Sequence, residues 1–599
     1  MLSAAQKKAV CHGTGPCLVV ASPGSGKTSV LVERIRYLIR ECSVDPNEIL
    51  VITFTRDAAI QMKKRFEQVE KDSFSPVFGT FHSIFFHILT IEKGYTSSSI
   101  LYGEKKNFLL KKAFILNGIN TEFFDEFYSE IDNKMTKVKL NLLHGDKISD
   151  TKIYNITRTY ESLKSEMHYL DFSDMIFRAL LMFKNEPEVL QRWQKRFSYI
   201  LIDEAQDMND LQFELIKLLS KEGEGVFAVG DEDQSIYGFR GANPGIFVDF
   251  KNIYPNSSVY MLEKNYRSTK GIVNVASNLI SHNTVRFEKN MESYSDQDSI
   301  IEITQYKDAY IEAEEVAKAI QNQIESGVKP RDIAVLYRNN SISNLILSSL
   351  KKREVPVNIR RKPTGRESGI YNDFLLFLQV KKQPLLRKLI YRFLNLQSED
   401  YYRSFFKTEV VDWNQVLSST LIDEEKAFLL KLKGDIAFLQ KLPPFLFVKY
   451  LRRTLKYDST FEKMPQNLRD EAFSYINEIE EVAKHVESFN EFEEEIKERL
   501  KEETKTSDGV SMRTFHGAKG LEYKVVYIIS ACDGITPSNK AKSAGDIEEE
   551  RRMFYVALTR AKKELYISFP LLIGEKQYGK SLFIDELQLS SIVSDEQKR

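Results

Sequence analysis

The sequence predicts an α/β protein built on parallel sheets. "CLVVASPGSGKTSVLVERIRYLI" joins a short apolar run, a glycine-rich turn and an amphipathic helical pattern, and "ILVITFT" and "YILIDE" are further short apolar runs. Short apolar runs that alternate with helical patterns are typical of parallel strands covered by helices on both faces. The chain of 599 residues is too long for one hydrophobic core, so several folding units are expected.

The composition is that of an ordinary soluble globular protein, with 42% apolar and 28% charged residues. Lys plus Arg and Asp plus Glu both number 85, so an anionic partner is expected to bind local patches rather than respond to the net charge. The four cysteines form no CxxC pair, which argues against a structural metal or a disulfide framework. No apolar run reaches the about 18 residues of a membrane helix and no signal peptide is recognisable, so we expect a cytoplasmic protein with no membrane partner.

Two helical blocks interrupt the α/β pattern, and the strand signals resume after each of them. Such blocks are expected where helices are inserted into a parallel-sheet domain. The second block carries the acidic stretch "EFEEEIKERLKEE", which indicates a solvated helix face. The predicted parts are a first α/β domain at 1–90 and 193–268, a helical insertion at 91–192, a second α/β domain at 269–380 and 506–599, and a compact helical insertion at 381–505.

The stretch "ASPGSGKT" follows a strand pattern and opens a helix pattern, which is the setting of a phosphate-binding loop. Gly24 and Gly26 allow backbone N–H groups to close around phosphate oxygens, while Lys27 neutralises the outer phosphates and Thr28 offers a hydroxyl to Mg²⁺. The first position is Ala21 rather than glycine, and an ordinary glycine-rich turn with a surface lysine is the alternative. The predicted loop residues are Ser22, Pro23, Gly24, Ser25, Gly26, Lys27, Thr28 and Ser29.

The stretch "YILIDEAQD" leads a strand directly into a group of acids. Carboxylates this close repel one another unless a cation lies among them, and Mg²⁺ is the expected cation. Because open parallel sheets bind ligands at the carboxyl ends of their strands, this stretch and the glycine loop are expected to meet. Asp203 would hold Mg²⁺, and Glu204 would orient and deprotonate a water that attacks a γ-phosphate. An acidic helix N-terminus is the alternative, but it explains one acid and not the whole group.

Two arginines stand in dense motifs, Arg267 in "EKNYRSTKG" and Arg560 in "EERRMFYVALTRAKKEL". Phosphoryl transfer needs positive charge at the transferred group, and an arginine finger is worth about 10³- to 10⁵-fold in rate. A surface ion pair is the alternative for either arginine alone.

These motifs, in this order, resemble the UvrD/Rep/PcrA family of superfamily 1A DNA helicases over nearly the whole chain. Each motif is weak by itself, but the order and spacing of the set are specific. The motifs are "LSAAQKKAV", "ASPGSGKT", "VITFTRDAAIQM", "GTFHSIFFHIL", "DFSDMI", "ILIDEAQDMNDLQ", "VGDEDQSIYGFRGA", "LEKNYRSTKGI", "IAVLYRNN", "RTFHGAKGLEYKVVYI" and "EEERRMFYVALTRAK".

The resemblance implies a fold of two RecA-like P-loop motor domains, each with a mainly helical inserted subdomain. It also implies residues that bind ATP. Gln6 would contact the adenine edge and Tyr266 would stack on its face, while Glu522 would contact the ribose. Thr28 and Asp203 match the family's ligands for Mg²⁺.

Catalytic roles are implied in the same way. Lys27 matches the phosphate ligand and Glu204 the catalytic base. Gln234 resembles the sensor that couples the γ-phosphate to the DNA site. Arg267 and Arg560 match the two arginine fingers, the second of which comes from the other motor domain.

A set of aromatic and basic residues matches family positions that contact single-stranded DNA. Aromatic platforms in a basic groove bind single strands at about 1–3 kcal/mol per stacked base. For any one aromatic a core position is the alternative, and Tyr578 is a looser match than the others. The chain departs from the family at Gly238-Phe239, where Arg-Trp is usual, and at Ser29, where a basic residue is common. The predicted strand contacts are Phe54, His82, Tyr237, Phe239, Arg240, His516 and Tyr578.

The function implied by the resemblance is a Mg²⁺- and ATP-dependent motor that moves 3′ to 5′ on single-stranded DNA and opens duplex ahead of it. Single-stranded and tailed duplex DNA are the expected partners, with a possible protein partner. The compact second insertion, and a chain that ends soon after the last motif, favour an alternative: a DNA-sensing ATPase subunit that regulates an effector such as a nuclease. A P-loop kinase or GTPase is a poorer alternative, because it leaves Gln234 and Arg560 without a role.

Overall fold

The structure is a computed structural model of the chain. It describes residues 2–70, 75–119, 150–221, 223–238, 241–359, 365–379, 442–462, 466–501 and 508–589, with residues 464, 593–594 and isolated positions within 131–139 and 427–439. These residues divide into two compact units. Unit 1 comprises Met1–Gln297 with Arg551–Tyr555, and unit 2 comprises Asp298–Glu550 with Val556–Arg599.

Unit 1 contains a parallel sheet of six strands in the order β3-β2-β4-β5-β1-β6. β1, β2 and β5 are buried at every residue, as the continuous apolar runs predict. Alternate side chains serve two cores: Val19 and Val51 pack with the helix after β1, and Leu18 and Leu50 pack on the opposite face. The strands are β1 Cys17–Ala21, β2 Ile49–Thr53, β3 Val77–Thr80, β4 Tyr199–Ile202, β5 Val226–Gly230 and β6 Ser258–Leu262.

The helices of unit 1 cover both faces of this sheet and also form a separate helical part. Leu109, Leu110 and Tyr160 belong to a core of their own, distinct from the two cores of the sheet. Among the described residues between β3 and β4, no strand joins the sheet. The helices are Ala4–Val10, Lys27–Arg40, Arg56–Val69, Phe81–Lys93, Gly103–Leu116, Thr151–Glu166, Phe172–Asn185, Pro187–Arg196, Asp210–Leu219, Pro244–Val248, Phe250–Ile253 and Lys270–Ile280.

Two further strands lie in unit 1 beyond the six-stranded sheet. β7, Lys264–Thr269, pairs in parallel with β8, Glu292–Ser295. The domain prediction assigns 269–297 to the second α/β domain, but these residues belong to unit 1. The physical reason is that β7 is hydrogen-bonded to the glycine loop of unit 1 through Tyr266 and Gly24, and it holds β8 beside it. The four-part division otherwise remains a prediction.

Unit 2 contains an eight-stranded sheet in the order β11-β12-β10-β13-β14-β9-β16, with β15 added antiparallel to β14. The remaining pairs are parallel. Central strand β10 is fully buried. The strands are β9 Ile300–Asp308, β10 Ile333–Tyr337, β11 Val357–Asn358, β12 Val510–Thr514, β13 Tyr523–Ile528, β14 Ala561–Ile573, β15 Lys576–Gln577 and β16 Val593–Ser594.

Helices of unit 2 share one large core with its sheet. Ile476 and Ile479 belong to the amphipathic pattern of the predicted insertion and pack in the same core as Val335 of β10. The described helices are Ala309–Glu325, Ser343–Lys352, Gly365–Gln379, Pro444–Arg453, Gln466–His485, Phe489–Arg499, Ala544–Leu558 and Leu582–Glu586. The predicted fold class, α/β with parallel sheets flanked by helices, is confirmed. Within the described ranges, no helix is both long enough and apolar enough to span a membrane.

Candidate active site

The glycine loop lies between β1 and the helix Lys27–Arg40. The Ser22 N–H donates to the Leu262 carbonyl of β6 at 3.0 Å, which fixes the start of the loop on the sheet. Gly26 is the N-cap of the helix and has a φ of +87°, in the left-handed region that favours glycine. No acidic residue stands in the first turn of this helix, so its N-terminal partial positive charge is available to an anion.

Two serine hydroxyls in the loop fit a phosphate ligand. Ser22 and Ser25 are 0% and 1% exposed. Within the part of the chain that the structure describes, neither Oγ has a hydrogen-bond partner. Buried polar groups without a partner are rare and call for a ligand or an ion. The loop therefore has donors placed for the oxygens of a nucleotide phosphate.

The "NYRS" segment of β7 packs directly on the loop. The Tyr266 N–H donates to the Gly24 carbonyl at 3.0 Å. Asn265 is buried, and its Oδ1 accepts from the backbone N–H groups of Arg267 and Ser268 at 2.8 Å each. A Cβ on Gly24 would lie 2.6 Å from the Cβ of Arg267, so this close approach requires glycine. Arg267 and Tyr266 are thereby held beside the loop, as the predicted roles require.

The acids at the end of β4 meet the loop as expected. The Asp203 N–H donates to the Ile52 carbonyl of β2 at 2.9 Å, which extends the sheet pairing to this carboxylate residue. Lys27 Nζ lies 3.3 Å from Glu204 Oε2. Glu204 has a φ of +50°, a strained conformation that is uncommon for a residue with a side chain. Such strain is found at functional sites, where surrounding contacts over-determine the backbone.

A chain of hydrogen bonds runs from Glu204 to the end of β5. Gln206 is fully buried; its Nε2 donates to Glu204 Oε2 at 2.6 Å and its Oε1 accepts from the Asp231 N–H at 2.9 Å. Gln234 Nε2 donates to Asp231 Oδ2 at 2.6 Å. A Cβ on Gly230 would lie 2.3 Å from Gln206 Oε1, so glycine at the end of β5 makes room for this amide. The predicted base and the predicted sensor are therefore connected through Gln206 and Asp231.

Three consecutive buried acids surround the Lys289 ammonium. Lys289 Nζ lies 2.6 Å from Asp231 Oδ1, 3.0 Å from Glu232 Oε1 and 2.6 Å from Asp233 Oδ2. Burial opposes the charge on Lys289, but Asp231, Asp233 and Glu232 raise its pKa above the ordinary value. Burial raises the pKa of Glu232 to about 7, although the nearby Lys289 charge acts in the opposite direction. Burial also acts to raise the pKa of Asp233, but Lys289 and Arg286 outweigh it, so the pKa of Asp233 is lowered. Arg286 binds Asp233 with two hydrogen bonds of 2.9 and 2.8 Å.

Gln6 lies against the glycine loop with both ends of its amide bonded. Its Nε2 donates to the Ser25 carbonyl at 2.8 Å, and its Oε1 accepts from the Ser3 N–H at 2.8 Å in a capping box. The structure thus places Gln6 next to the loop predicted to bind ATP. Its present bonds support the loop, and its contact with adenine remains a prediction.

Two predicted nucleotide residues lie in unit 2. Arg560 is 1% exposed; its guanidinium donates to the carbonyls of Val556 and Leu521 at 2.8 and 3.1 Å and to Thr559 Oγ1 at 3.0 Å. Glu522 is exposed and pairs with Lys562 at 2.7 Å. A finger role for Arg560 would require its guanidinium to exchange these bonds within unit 2.

Three predicted strand contacts of unit 1 lie in aromatic pairs, and one of these pairs includes Phe172, which was not predicted. Phe54 and Tyr237 are half-buried and stack on each other, with ring centroids 4.8 Å apart and an interplanar angle of 21°. His82 meets the exposed ring of Phe172 edge-on at 5.9 Å, and burial lowers the pKa of His82. These rings are partly open to solvent rather than core residues. Phe239 and Arg240 lie outside the described residues.

A groove of about 630 Å³ in unit 2 contains another predicted strand contact, Tyr578. The Lys576 ammonium lies 4.8 Å from the centre of the Tyr578 ring. Thr514, at the end of β12, also lines the groove, and the half-buried His516 follows two residues later. Other groove residues with amide, hydroxyl or cationic side chains include Arg338, Asn339, Asn340, Asn477, Ser538, Asn539 and Lys540, and the lining also contains the acid Glu471. This lining can bind phosphates and stack on a base.

Several residues of the site make contacts that the sequence did not reveal. Asn265 stands inside a recognised motif, but its backbone-shaping role depends on the turn that it closes. Lys289 lies outside every motif and is one lysine among many. Asp231 and Gln206 are inside motifs, where their acidic and amide side chains were visible but their partners were not.

A parallel β-strand, a glycine loop, a helix with an N-terminal lysine and carboxylates on a neighbouring strand together define the P-loop class of nucleotide-binding proteins. The comparisons with known proteins are specific within this class. Residues 2–255 match the UvrD/REP helicase N-terminal domain, and residues 260–363 and 400–571 match the UvrD-like helicase C-terminal domain. The chain belongs to the UvrD/Rep/PcrA family of ATP-dependent DNA helicases.

Individual relatives agree with this assignment. The ATP-dependent DNA helicase Rep of Buchnera aphidicola subsp. Acyrthosiphon pisum is 31% identical over 97% of this chain and 96% of that protein. The ATP-dependent DNA helicase PcrA of Staphylococcus epidermidis is 29% identical over 98% of this chain and 86% of that protein. The predicted family resemblance is therefore confirmed over nearly the full chain.

Proposed function

We propose that this protein is a Mg²⁺- and ATP-dependent motor that moves 3′ to 5′ along single-stranded DNA and separates duplex DNA ahead of it. The observation that carries the proposal is the contact of Lys27 with Glu204 at 3.3 Å, together with the hydrogen-bonded connection from Glu204 to Gln234. It joins the phosphate loop, the base and the sensor in one unit. Family membership supports ATP and DNA as the ligands.

In this proposal the glycine loop binds the phosphates of ATP. Ser22, Ser25 and the helix N-terminus donate hydrogen bonds to phosphate oxygens, and Lys27 neutralises their charge. Thr28 and Asp203 are the residues that would hold Mg²⁺, which neutralises charge on the β- and γ-phosphates when bound.

Hydrolysis then depends on groups of this chain that are already in contact. Glu204 orients the attacking water and accepts its proton. Lys27 lies 3.3 Å from Glu204, so the proposed phosphate ligand and the proposed base are in contact. Arg267, held on the loop through Asn265, supplies positive charge to the transferred group.

The DNA strand is proposed to contact the half-buried aromatic residues of unit 1 and the groove of unit 2. The rings of Phe54 and Tyr237 offer stacking faces, and His82 lies in the first turn of the helix that follows β3, the parallel neighbour of β2. In unit 2, Tyr578 with Lys576 beside it provides a ring and a cation. Aromatic faces combined with cations are how proteins bind single strands without sequence preference.

The test is ATPase activity and strand separation on 3′-tailed, 5′-tailed and blunt duplex DNA. We expect ATP hydrolysis stimulated by single-stranded DNA and separation of the 3′-tailed duplex. Lys27→Ala and Glu204→Gln should abolish both, while Glu33→Gln, the same chemical change on a surface ion pair, should change neither. Stimulated hydrolysis that survives Glu204→Gln would refute the assigned site, and separation of the 5′-tailed duplex alone would refute the polarity.

The same assay addresses the regulatory alternative. An ATPase subunit that only controls a partner nuclease would hydrolyse ATP on DNA but separate no strands when purified alone. The comparisons do not favour that alternative, since the named relatives above are helicases.

A further inference from the structure

Lys289 occupies an unusual position near the predicted catalytic residues. Its side chain is 0% exposed, and its ammonium contacts the carboxylates of Asp231, Glu232 and Asp233 within 3.0 Å. The lysine is 58 residues from Asp231 in the sequence. Replacing a buried ionic cluster by apolar side chains is often neutral or stabilising, so stability alone does not account for it.

Asp231 is the member of the cluster that links Lys289 to the chemistry. One oxygen, Oδ1, binds Lys289 at 2.6 Å, and the other, Oδ2, accepts from Gln234 Nε2 at 2.6 Å. The backbone N–H of Asp231 donates to Gln206 Oε1 at 2.9 Å. Gln206 in turn donates to Glu204 Oε2 at 2.6 Å.

The other two acids of the cluster have additional partners. Asp233 is bound by Arg286 through two hydrogen bonds, and Glu232 Oε1 accepts from the Phe287 N–H at 2.8 Å. Lys289 therefore acts on the Asp231 carboxylate in a way that Arg286 does not duplicate in the described contacts.

We propose that Lys289 is a positioning residue for ATP hydrolysis. By fixing Asp231, whose carboxylate binds Gln234 and whose backbone N–H binds Gln206, it sets the orientation of the Gln234 amide and, through Gln206, of the Glu204 carboxylate. This inference rests on the proposed hydrolysis of ATP at this site. Lys289 touches neither ATP nor the attacking water in this role.

The experiment compares two variants that each remove a lysine whose side chain is fully buried. Lys289→Met removes the ammonium and keeps an unbranched apolar side chain. Lys164→Met is the matched control. The Lys164 side chain is also 0% exposed and binds Asp171 and Asp174 at 3.0 and 2.6 Å. In the described hydrogen bonds and ion pairs, it contacts none of the predicted catalytic residues. For each variant, kcat and KM for ATP are measured with saturating single-stranded DNA, together with thermal unfolding.

We expect Lys289→Met to lower kcat at least about 10-fold, since a displacement of about 1 Å at a reacting group costs on the order of 100-fold in rate. KM should change by less than about 3-fold, because the phosphate loop is not part of the cluster. Lys164→Met should lose thermal stability but keep its kcat. Lys289→Arg, which retains the charge, should recover part of the activity.

A kcat for Lys289→Met equal to that of Lys164→Met would overturn the proposal, as would a rise in KM at unchanged kcat. If Lys289→Met does not fold, Asp231→Asn is tested in its place, because this change keeps the shape of the side chain but weakens the bond to Lys289. An unchanged kcat in Asp231→Asn would also overturn the proposal. Failure of the proposed function is recognised separately: the wild-type protein would then show no ATP hydrolysis that Glu204→Gln abolishes.

Discussion

Replacing Gly24 by alanine should displace the arginine beside the phosphate loop. The added Cβ would lie 2.6 Å from the Cβ of Arg267 and 3.0 Å from Asn265 Oδ1. Two carbon atoms pack without repulsion at about 3.5–4.0 Å, so the two segments must separate by about 1 Å. Neither neighbour is the free end of a flexible side chain, since one atom is a Cβ and the other belongs to a buried amide that holds the turn.

The expected size of the effect has two parts. Alanine in the left-handed region, here at a φ of +68°, costs about 1–2 kcal/mol in stability. Moving Arg267 by about 1 Å relative to the loop should lower kcat on the order of 100-fold if this arginine acts on the transferred phosphoryl group.

Two other glycines distinguish the backbone cost of alanine at a positive φ from the effect of displacing Arg267. Gly15→Ala has a φ of +93° and no atom within 4 Å of the new Cβ, so it carries the backbone cost without a collision. Gly26→Ala has a φ of +87° and would bring its new Cβ to 2.7 Å from Gln6 Nε2, so the Gln6 amide must move and lose its hydrogen bond to the Ser25 carbonyl, while the β7 segment is not touched. We expect losses of ATPase activity in the order Gly24→Ala, Gly26→Ala, Gly15→Ala.

Steady-state ATP hydrolysis with saturating single-stranded DNA, together with thermal unfolding, measures both parts. If Gly24→Ala and Gly15→Ala lose the same stability and the same activity, the close approach of β7 to the loop has no catalytic importance. That result would refute the assignment of Arg267 to this site.

Three further predictions concern stability, charge and metal. Burial opposes ionisation of Glu495, but Arg499 and then Lys352 lower its pKa to about 2. The ionised carboxylate therefore stabilises the fold at pH values above the ordinary pKa of a glutamate. This contribution is lost as the pH falls through about 4 toward 2. Glu495→Gln should lower the free energy of unfolding by at most about 3 kcal/mol at pH 7. Chemical denaturation of both proteins at pH 7 and at pH 4 should show a smaller difference in this free energy at pH 4. The same difference at both pH values would contradict the assigned pKa. Arg560→Lys should lower kcat about 10³-fold or more with little change in KM, and normal steady-state kinetics would exclude a finger role. EDTA should abolish ATP hydrolysis, and Asp203→Asn should raise the Mg²⁺ concentration needed to restore it; an unchanged Mg²⁺ dependence would remove Asp203 from the metal site.

The glycine loop after β1 and the acidic residues after β4 were predictable because each is encoded in a short stretch of neighbouring residues. A short apolar run followed by glycines, lysine and threonine encodes its own strand, turn and helix start, and the structure has β1, the loop and the helix Lys27–Arg40 at those positions. The contact between Lys27 and Glu204 followed from a general rule, that the carboxyl ends of neighbouring parallel strands meet.

Contacts of side chains outside the motifs were not predictable in this way. The fold brings the Lys289 ammonium to the Asp231 carboxylate at the end of β5, and the spacing of 58 residues between them follows no helical or strand period. The bonds of Arg560 show the same limit: its motif predicts a finger, while the guanidinium is bonded to carbonyls of its own unit.

By itself, the sequence determined the α/β class and which residue types stand at the ends of β1, β4 and β5, because hydrophobic period and local turn chemistry are written in neighbouring positions. The family followed from the resemblance of its ordered motifs. Only the tertiary structure decided that the residues after β7, including β8, belong to unit 1, that Asn265 shapes the turn beside Gly24, and that Lys289 contacts three buried acids. The physical reason is that packing and burial join groups that are distant in the chain. A charge or an amide acquires its role from the partners that the fold brings within hydrogen-bond distance.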